Sequence, residues 1–251
     1  MPAPGLDLWL VLLELALALA TMVGLRYVTA PYGRHGRPGW GLTIPARVGW
    51  LVMESPALLW FLAVYLTGAH KAATVPLVLL ALWQLHYIQR TLVYPLLMRT
   101  GARMPVSIMA MAITFNMLNG YVNARWIGDL ADYPASWLAD PRFLGGTVLF
   151  LGGLAINLDA DRRLRRLRGP RETGYRIPHG GAFRWVSSPN YFGEIVEWFG
   201  WALATWSLPG LAFALYTTAN LAPRALANHR WYHEHFPTYP PQRRALLPHL
   251  L

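Results

Sequence analysis

The 251-residue chain contains no cysteine and little charge. The absence of cysteine excludes disulfide bonds, a thiol nucleophile, cysteine-ligated iron–sulfur clusters and zinc sites built from thiolates. Only 14% of the residues are Asp, Glu, Lys or Arg and 55% are hydrophobic, whereas soluble domains carry about 25% charged residues. The composition therefore predicts an integral membrane protein.

Acidic residues are scarcer than basic ones, and 12 Asp and Glu against 22 Lys and Arg give a formal net charge of +10. Such an excess can indicate nucleic-acid binding. Here the basic residues lie between long apolar runs, so membrane topology explains them better and no nucleic-acid partner is expected. The first apolar run has no basic segment before it, which favours a retained span over a cleaved signal peptide.

Long apolar runs recur along the chain, and a helix of about 20 such residues crosses a bilayer. Seven spans are predicted, of which the fifth and sixth are short for a full crossing. They cover residues 8–28, 48–66, 73–97, 106–127, 144–158, 191–206 and 211–227. No repeat or linker divides the chain, so residues 1–251 are predicted to form one all-α, multi-pass membrane domain.

The basic residues are distributed very unequally between the two sides of these spans. Nineteen of the 22 fall on one side and three, Lys71, Arg125 and Arg142, on the other. Because Lys and Arg concentrate in cytoplasmic loops, a non-cytoplasmic amino terminus and a cytoplasmic carboxyl terminus are predicted.

Carboxylates within the spans are costly and often functional. For Glu14 we expect a structural role, as the partner of an arginine or as a helix cap. Glu54 lies two residues before Pro56, where a break in the helix exposes backbone groups to a cavity. An ion pair between Glu54 and Arg47 is an equally open explanation.

Two further carboxylates, Glu194 and Glu197, share one helical face. They follow Ser188 and Pro189, which mark a helix start as N-cap and first helical residue. An acidic face at a cytoplasmic helix mouth can hold ribose hydroxyls or an arginine.

Polar side chains also follow the third and fourth spans. Asn116, Asn119 and Asn123 lie on one stripe, and either bonds between helices or a place in a cavity wall explains them. The third span ends with donors at membrane depth, which indicates a pocket wall. These donors are His86, Tyr87, Gln89 and Arg90.

The most charged segment is the predicted cytoplasmic loop of about residues 157–190, and a further cytoplasmic segment covers residues 224–251. A positive-inside signal or lipid headgroup contact is the simplest explanation of the loop. Its mixture of arginines, which suit phosphate, with acids, which suit ribose hydroxyls, also makes it a candidate cofactor-binding loop. The chain has no GxGxxG or GxxxxGK[ST] motif. No metal site is predicted, because His229, His233 and His235 are too few.

Several segments resemble the steroid 5-alpha-reductase family, and we expect a bacterial member. The specific part is YRIPHGGAFRWVSSPNYFGEIVEWFGWALATWSLPGLAFA from Tyr175, with RALANHRWYHEHFPTYP from Arg224. YGRHG at Tyr32, IPARVGWLVMESP at Ile44 and HYIQRT at His86 follow the family's order and spacing.

This resemblance implies a seven-helix membrane enzyme that binds NADPH in its cytoplasmic half and a steroid or related lipid enone between its helices. It places the substrate carbonyl at Glu54 and Tyr87. It places the cofactor at Asn157, Asp161, Arg168, Tyr175, Asn190, Glu194, Arg224, Asn228 and Tyr232. Two departures from animal members are Asn228, where those have His, and a fourth span with Met109 and Met111 but no Arg.

The chemistry that the resemblance implies adds a hydride to the β-carbon of a conjugated enone. Negative charge then develops on the carbonyl oxygen, where hydrogen-bond donors lower the barrier. Tyr87 can donate, as can Glu54 when protonated. Alternatives are an enoyl-thioester or polyprenyl reductase, or an isoprenylcysteine-type methyltransferase. A transporter is disfavoured because no repeated halves are visible. A monomer in contact with membrane lipids is expected, in a bacterial inner membrane or, in a eukaryote, the endoplasmic reticulum.

Overall fold

A computed structural model describes residues 4–98, 101–167, 174–248 and 250, and helix dominates this part of the chain. Nine α-helices are found within these ranges. They are α1 (Pro4–Tyr27), α2 (Ala46–Ser55), α3 (Phe61–Leu66), α4 (Thr74–Ile88), α5 (Tyr94–Leu97), α6 (Val106–Arg125), α7 (Pro141–Arg166), α8 (Pro189–Thr205) and α9 (Leu208–His235).

Wide π turns join α2 to α3 at Pro56–Trp60 and α4 to α5 at Gln89–Val93, and a third, Trp126–Leu130, extends α6. The described helices therefore form seven continuous helical segments, in the order that the apolar runs predict. Among the described residues, three helical segments are long and apolar enough to cross a membrane, judged by length and composition. These are Asp7–Tyr27, Ala46–Leu66 and Pro141–Arg166.

Helix α7 is much longer than the predicted fifth span. It has 26 residues, which corresponds to a length of about 39 Å, and it continues into the arginine-rich segment as far as Arg166. The predicted loop of about 157–190 is therefore helical over its first ten residues. Asp140 caps the other end of α7, where its side chain accepts from the backbone N–H of Arg142 at 2.8 Å.

A small antiparallel sheet is present that the all-α prediction does not include. Strand β1 (Thr43–Pro45) pairs with β2 (Arg103–Pro105), and the strands lead directly into α2 and α6. Met104 packs so closely against Gly49 that a Cβ there would lie 2.7 Å from the Met104 sulfur. The sheet therefore ties together the starts of two helices that carry candidate site residues.

The π turn at Pro56 confirms the predicted break in the second span. Proline has no N–H to donate, and the carbonyl groups around it bond to side chains of neighbouring helices. Asn116 donates to Met53 O at 2.7 Å, and Thr91 donates to Glu54 O at 3.3 Å. Trp83 Nε1 donates to the carbonyl of Ala57, the residue after Pro56, at 2.8 Å. These bonds fix α2, α4 and α6 around Glu54.

Helices α7 and α8 meet along a seam of glycines that lets their backbones approach closely. At each of these glycines, a Cβ would lie under 3.0 Å from backbone atoms of the opposite helix. The four glycines, seven residues apart on each helix, are Gly146, Gly153, Gly193 and Gly200. The seam sets the distance between two helices that carry four of the nine predicted cofactor residues.

Candidate active site

A cavity of about 470 Å³ opens between α1, α2, α4, α6, α8 and α9. This volume is within the range of small-molecule sites. Its walls are mainly apolar, with Trp50, Met53, Ile108 and Phe115 among them. A smaller set of polar side chains faces the same space: Thr21, Tyr32, Glu54, His86, Tyr87, Arg90, Asn116, Glu194, Thr217 and Asn220. A mostly apolar cavity with a smaller set of polar groups suits a largely hydrophobic ligand.

The two residues predicted to hold the substrate carbonyl line this one cavity from different helices. Glu54 lies at the end of α2, and Asn116 of α6 donates to its carboxyl oxygen at 3.3 Å. Tyr87 of α4 is 3% exposed and packs against Trp83 and Trp198, with ring centroids 4.9 and 5.7 Å apart. The structure thus brings both candidates together.

The alternative partner of Glu54, Arg47, is occupied elsewhere. Its guanidinium donates to the carbonyl oxygen of Met98, with Nε at 2.9 Å. The expectation of an ion pair between Glu54 and Arg47 is therefore wrong. The expectation for Glu14 is also wrong, because this residue is fully buried and neither carboxyl oxygen has a hydrogen-bond partner among the described residues.

The asparagine stripe of α6 divides between the two roles that the sequence leaves open. Asn116 lines the cavity and holds Glu54. Asn123 instead donates to Asn119 within α6 at 2.8 Å and accepts from Trp201 Nε1 at 2.9 Å, so Asn123 connects α6 to α8.

A network of charged and amide side chains lies beside the cavity, where α7 ends and α8 begins. Asn157 donates to Asn190 O at 3.0 Å and to Glu194 at 3.3 Å, and Asn190 donates to Asp161 at 3.2 Å. Arg90 Nη1 and Nη2 lie 3.8 and 3.6 Å from carboxylate oxygens of Asp161 and Glu194. Four predicted cofactor residues therefore form one cluster around Arg90, which sequence analysis placed in a pocket wall and did not assign to the cofactor.

The predicted residues of α9 contact the segment that follows α1. Arg224 Nε donates to Tyr191 OH at 2.8 Å, and Nη2 donates to Tyr32 O at 3.0 Å. Asn228 lies 2.9 Å from His35 Nε2 and donates to Ser188 at 3.3 Å. Burial lowers the pKa of His35 below its ordinary value, which favours a neutral imidazole beside Asn228.

Tyr175 and Tyr232 meet at an arginine that sequence analysis did not select. Arg34 Nη2 donates to Tyr232 OH at 3.0 Å, and the guanidinium lies 5.4 Å from the Tyr175 ring and 5.0 Å from the Trp231 ring. The place of Arg34 in the YGRHG motif was the signal by which the sequence could have identified it. The ninth predicted cofactor residue, Arg168, lies outside the described residues.

A buried pair that joins α4 and α8 was also missed. His86 Nδ1 is 2.8 Å from Glu197 Oε1, and the two residues are 2% and 0% exposed. Both were noted as polar residues within spans, but their positions 111 residues apart gave no sign of a contact. His86 also lines the cavity.

The arrangement suits a dinucleotide. Arginines match phosphate oxygens, carboxylates accept from ribose hydroxyls, and aromatic rings stack on bases. Arg34 Nη1 and Arg165 Nη1 are buried without a hydrogen-bond partner among the described residues, so each has a donor to offer an anion. Asp161, Glu194 and Tyr175 supply the other two kinds of group.

Comparisons with known proteins agree with this chemistry. Residues 102–251 match the family model described as 3-oxo-5-alpha-steroid 4-dehydrogenase. The 3-oxo-5-alpha-steroid 4-dehydrogenase 1 of Rattus norvegicus is 46% identical, with 96% of this chain and 94% of the rat protein covered. The steroid 5-alpha-reductase DET2 of Arabidopsis thaliana is 45% identical, with 91% of this chain and 90% of the plant protein covered. The chain belongs to the 3-oxo-5-alpha-steroid 4-dehydrogenase family.

Proposed function

We propose that this protein is an NADPH-dependent steroid 5α-reductase that reduces the 4,5 double bond of 4-ene-3-oxosteroids. Family membership supports the reaction, and the names of its relatives supply the substrate class. The observation that carries the mechanism is the convergence of Glu54 and Tyr87 on one mainly apolar cavity.

In the proposed mechanism Tyr87 and Glu54 hold the carbonyl oxygen of the substrate. When bound, NADPH would supply the hydride for the β-carbon. Negative charge develops on the oxygen as the double bond shifts, and two donors already in place stabilise that charge without reorganisation. Asn116 orients Glu54 through its hydrogen bond to the carboxyl group. The apolar walls exclude water and position the rings.

Recognition of the dinucleotide is assigned to the cluster around Arg90 and to the group around Arg34. Asp161 and Glu194 are placed to accept ribose hydroxyls, while Arg34 and Arg168 are proposed to contact phosphates. We expect NADPH to bind better than NADH because its additional phosphate meets this positive charge. Titration of both dinucleotides against wild type and Arg168→Ala tests this expectation, and equal affinity of the wild type for the two contradicts it.

For topology we propose seven membrane crossings with the amino terminus outside and the carboxyl terminus in the cytoplasm. The strong asymmetry of the basic residues supports this orientation. Reporter domains fused after Leu251 provide the test. A reporter that works only in the cytoplasm should be active there, and an inactive but intact fusion would reverse the orientation.

The decisive experiment uses purified protein, NADPH and a panel of 4-ene-3-oxosteroids, enoyl thioesters and polyprenals. We expect a mass gain of two hydrogens on the steroids alone. Reduction of only another class would transfer the activity to that class. Binding of S-adenosylmethionine without binding of NADPH would support the methyltransferase alternative.

A further inference from the structure

The reaction needs a second chemical step for which Tyr87 and Glu54 are poorly placed. Hydride addition to the β-carbon moves the π electrons onto the carbonyl oxygen and leaves an enolate. The saturated ketone forms only when the α-carbon takes up a proton. Side chains that hold the oxygen lie at one end of the enolate, so a donor beside the carbon is a separate requirement. This inference rests on the proposed function.

The His86–Glu197 pair has the features of such a donor. His86 directly precedes Tyr87 in α4 and lines the same cavity. Its Nδ1 is engaged with Glu197 Oε1 at 2.8 Å. Its other ring nitrogen, Nε2, has no hydrogen-bond partner in the part of the chain that the structure describes. Nε2 is therefore the nitrogen available to a ligand.

The surroundings fix the orientation of this imidazole. Its ring meets the rings of Tyr87 and Trp198 edge to face, with centroids 4.9 and 4.6 Å away. Glu197 is fully buried on α8, and its second oxygen has no hydrogen-bond partner among the described residues. A buried carboxylate on Nδ1 both orients an imidazole and stabilises its charged form, as in hydrolase triads.

The other charged groups of the cavity already have a role in the proposed function, Glu54 at the substrate carbonyl and Arg90 with Glu194 at the dinucleotide. Arg90 lies between Asp161 and Glu194, and Glu54 accepts from Asn116. A pair of buried ionisable groups in the membrane is costly. A structural bond between α4 and α8 alone does not require that one of the two groups face the cavity.

We propose that His86, oriented and charged by Glu197, delivers a proton from Nε2 to the α-carbon of the enolate. The Nε2–H bond breaks, the new C–H bond forms with the enolate's electron pair, and the carbonyl is restored. Water entering the cavity after product release returns the proton to His86. In this scheme His86 is a catalytic residue and Glu197 is a positioning residue.

The test compares a replacement of His86 with a replacement of Glu197. In His86→Asn, the amide nitrogen takes the place of Nδ1 and keeps the bond to Glu197, but nothing replaces Nε2. We expect kcat to decrease about a hundredfold or more, with KM and NADPH affinity nearly unchanged. The solvent deuterium isotope effect on kcat should rise, because proton transfer becomes rate-limiting. Glu197→Gln should show the same change in isotope effect with a smaller loss of kcat.

The control is Gln84→Met, which removes another side-chain bond of α4, from Gln84 Nε2 to Leu58 O at 3.2 Å, outside the cavity. It should leave the isotope effect at the wild-type value. A folded His86→Asn enzyme with near wild-type kcat overturns the inference. So does a loss of kcat that follows only NADPH affinity or thermal stability with an unchanged isotope effect. If His86→Asn does not fold, Glu197→Gln decides by the same readout. Failure of wild type to reduce any steroid would instead reject the proposed function.

Discussion

The two ends of α7, α8 and α9 both carry charged and aromatic residues but use them differently. At the end away from the cavity, Arg142 donates to Asp140 at 2.8 and 2.9 Å and lies over the Trp137 ring at 4.4 Å. Tyr133 OH donates to Thr205 O at 2.6 Å. These side chains bond to groups close to them.

At the cavity end, polar groups converge on a shared space and retain unused capacity. Arg90 lies more than 3.5 Å from the carboxylates of both Asp161 and Glu194, and Arg34 Nη1 has no hydrogen-bond partner among the described residues. Buried polar groups without good partners are costly. The comparison indicates that residues of one end stabilise the fold, while those of the other are arranged for a ligand.

The largest expected effect separates the two ends by activity. Tyr87→Phe and Glu54→Gln should each reduce the single-turnover rate by about a hundredfold or more, because each alters a donor at the developing oxyanion. NADPH affinity should change little. Since the two residues act as a unit, the double variant should be scarcely slower than either single one.

The matched control is Tyr133→Phe, which removes the same hydroxyl group at the opposite end. It should retain activity and lose about 1–3 kcal/mol of stability, because it removes both the bond to Thr205 O and the bond from Trp126 Nε1. Single-turnover rates with NADPH bound compare the activities of the two variants, and thermal unfolding measures the loss of stability. A Tyr87→Phe enzyme as fast as Tyr133→Phe would remove Tyr87 from the mechanism.

The glycine seam provides a second, intermediate effect. Gly153→Ala places a methyl group against the backbone of α8 at Glu197 and should destabilise the protein by about 1–3 kcal/mol. Gly152→Ala is the control, because a Cβ there meets nothing within 4 Å. Thermal unfolding in detergent measures the difference. Equal stability of the two variants would show that the helices separate at no cost.

Substitutions in the glycine seam should also affect kcat differently at the cavity end and at the opposite end of α7 and α8. Gly146→Ala makes the same kind of clash near Ala204, away from the cavity. We expect its folded fraction to keep wild-type kcat, whereas Gly153→Ala should also lose kcat because Glu197 and His86 are displaced. Identical kcat values for the two folded variants would contradict this difference.

The smallest expected effect is an acid dependence at the end away from the cavity. Hydrogen bonds from Arg142 lower the pKa of Asp140 to about 2. A lowered folded-state pKa stabilises the protein above the unfolded value, and this contribution disappears as the pH falls from about 4 to about 2. Melting temperatures of wild type and Asp140→Asn should therefore converge over that interval. A constant difference between them would assign the stabilisation to another group.

Much of the cavity end could be predicted residue by residue. Glu54 was identified because a carboxylate within an apolar span is costly, and Pro56 showed where the helix opens. Tyr87 and the residues from Asn157 to Glu194 followed from the quoted motifs. Arg34, Arg90 and the His86–Glu197 pair also lie in the quoted motifs, but their roles could not be assigned from the sequence, because those roles depend on partners far away in the chain.

The sequence by itself determined the membrane class, the order of the helical segments and the break at Pro56, since apolar length and the missing proline N–H are local properties. The tertiary structure decided which polar residues face a cavity and which bond to neighbouring helices. Asn116 and Asn123 have the same chemistry on one stripe, yet one holds Glu54 and the other accepts from Trp201. Only the packing of α2 and α8 against α6 distinguishes them, because a side chain's role in a membrane depends on what lies across the interface.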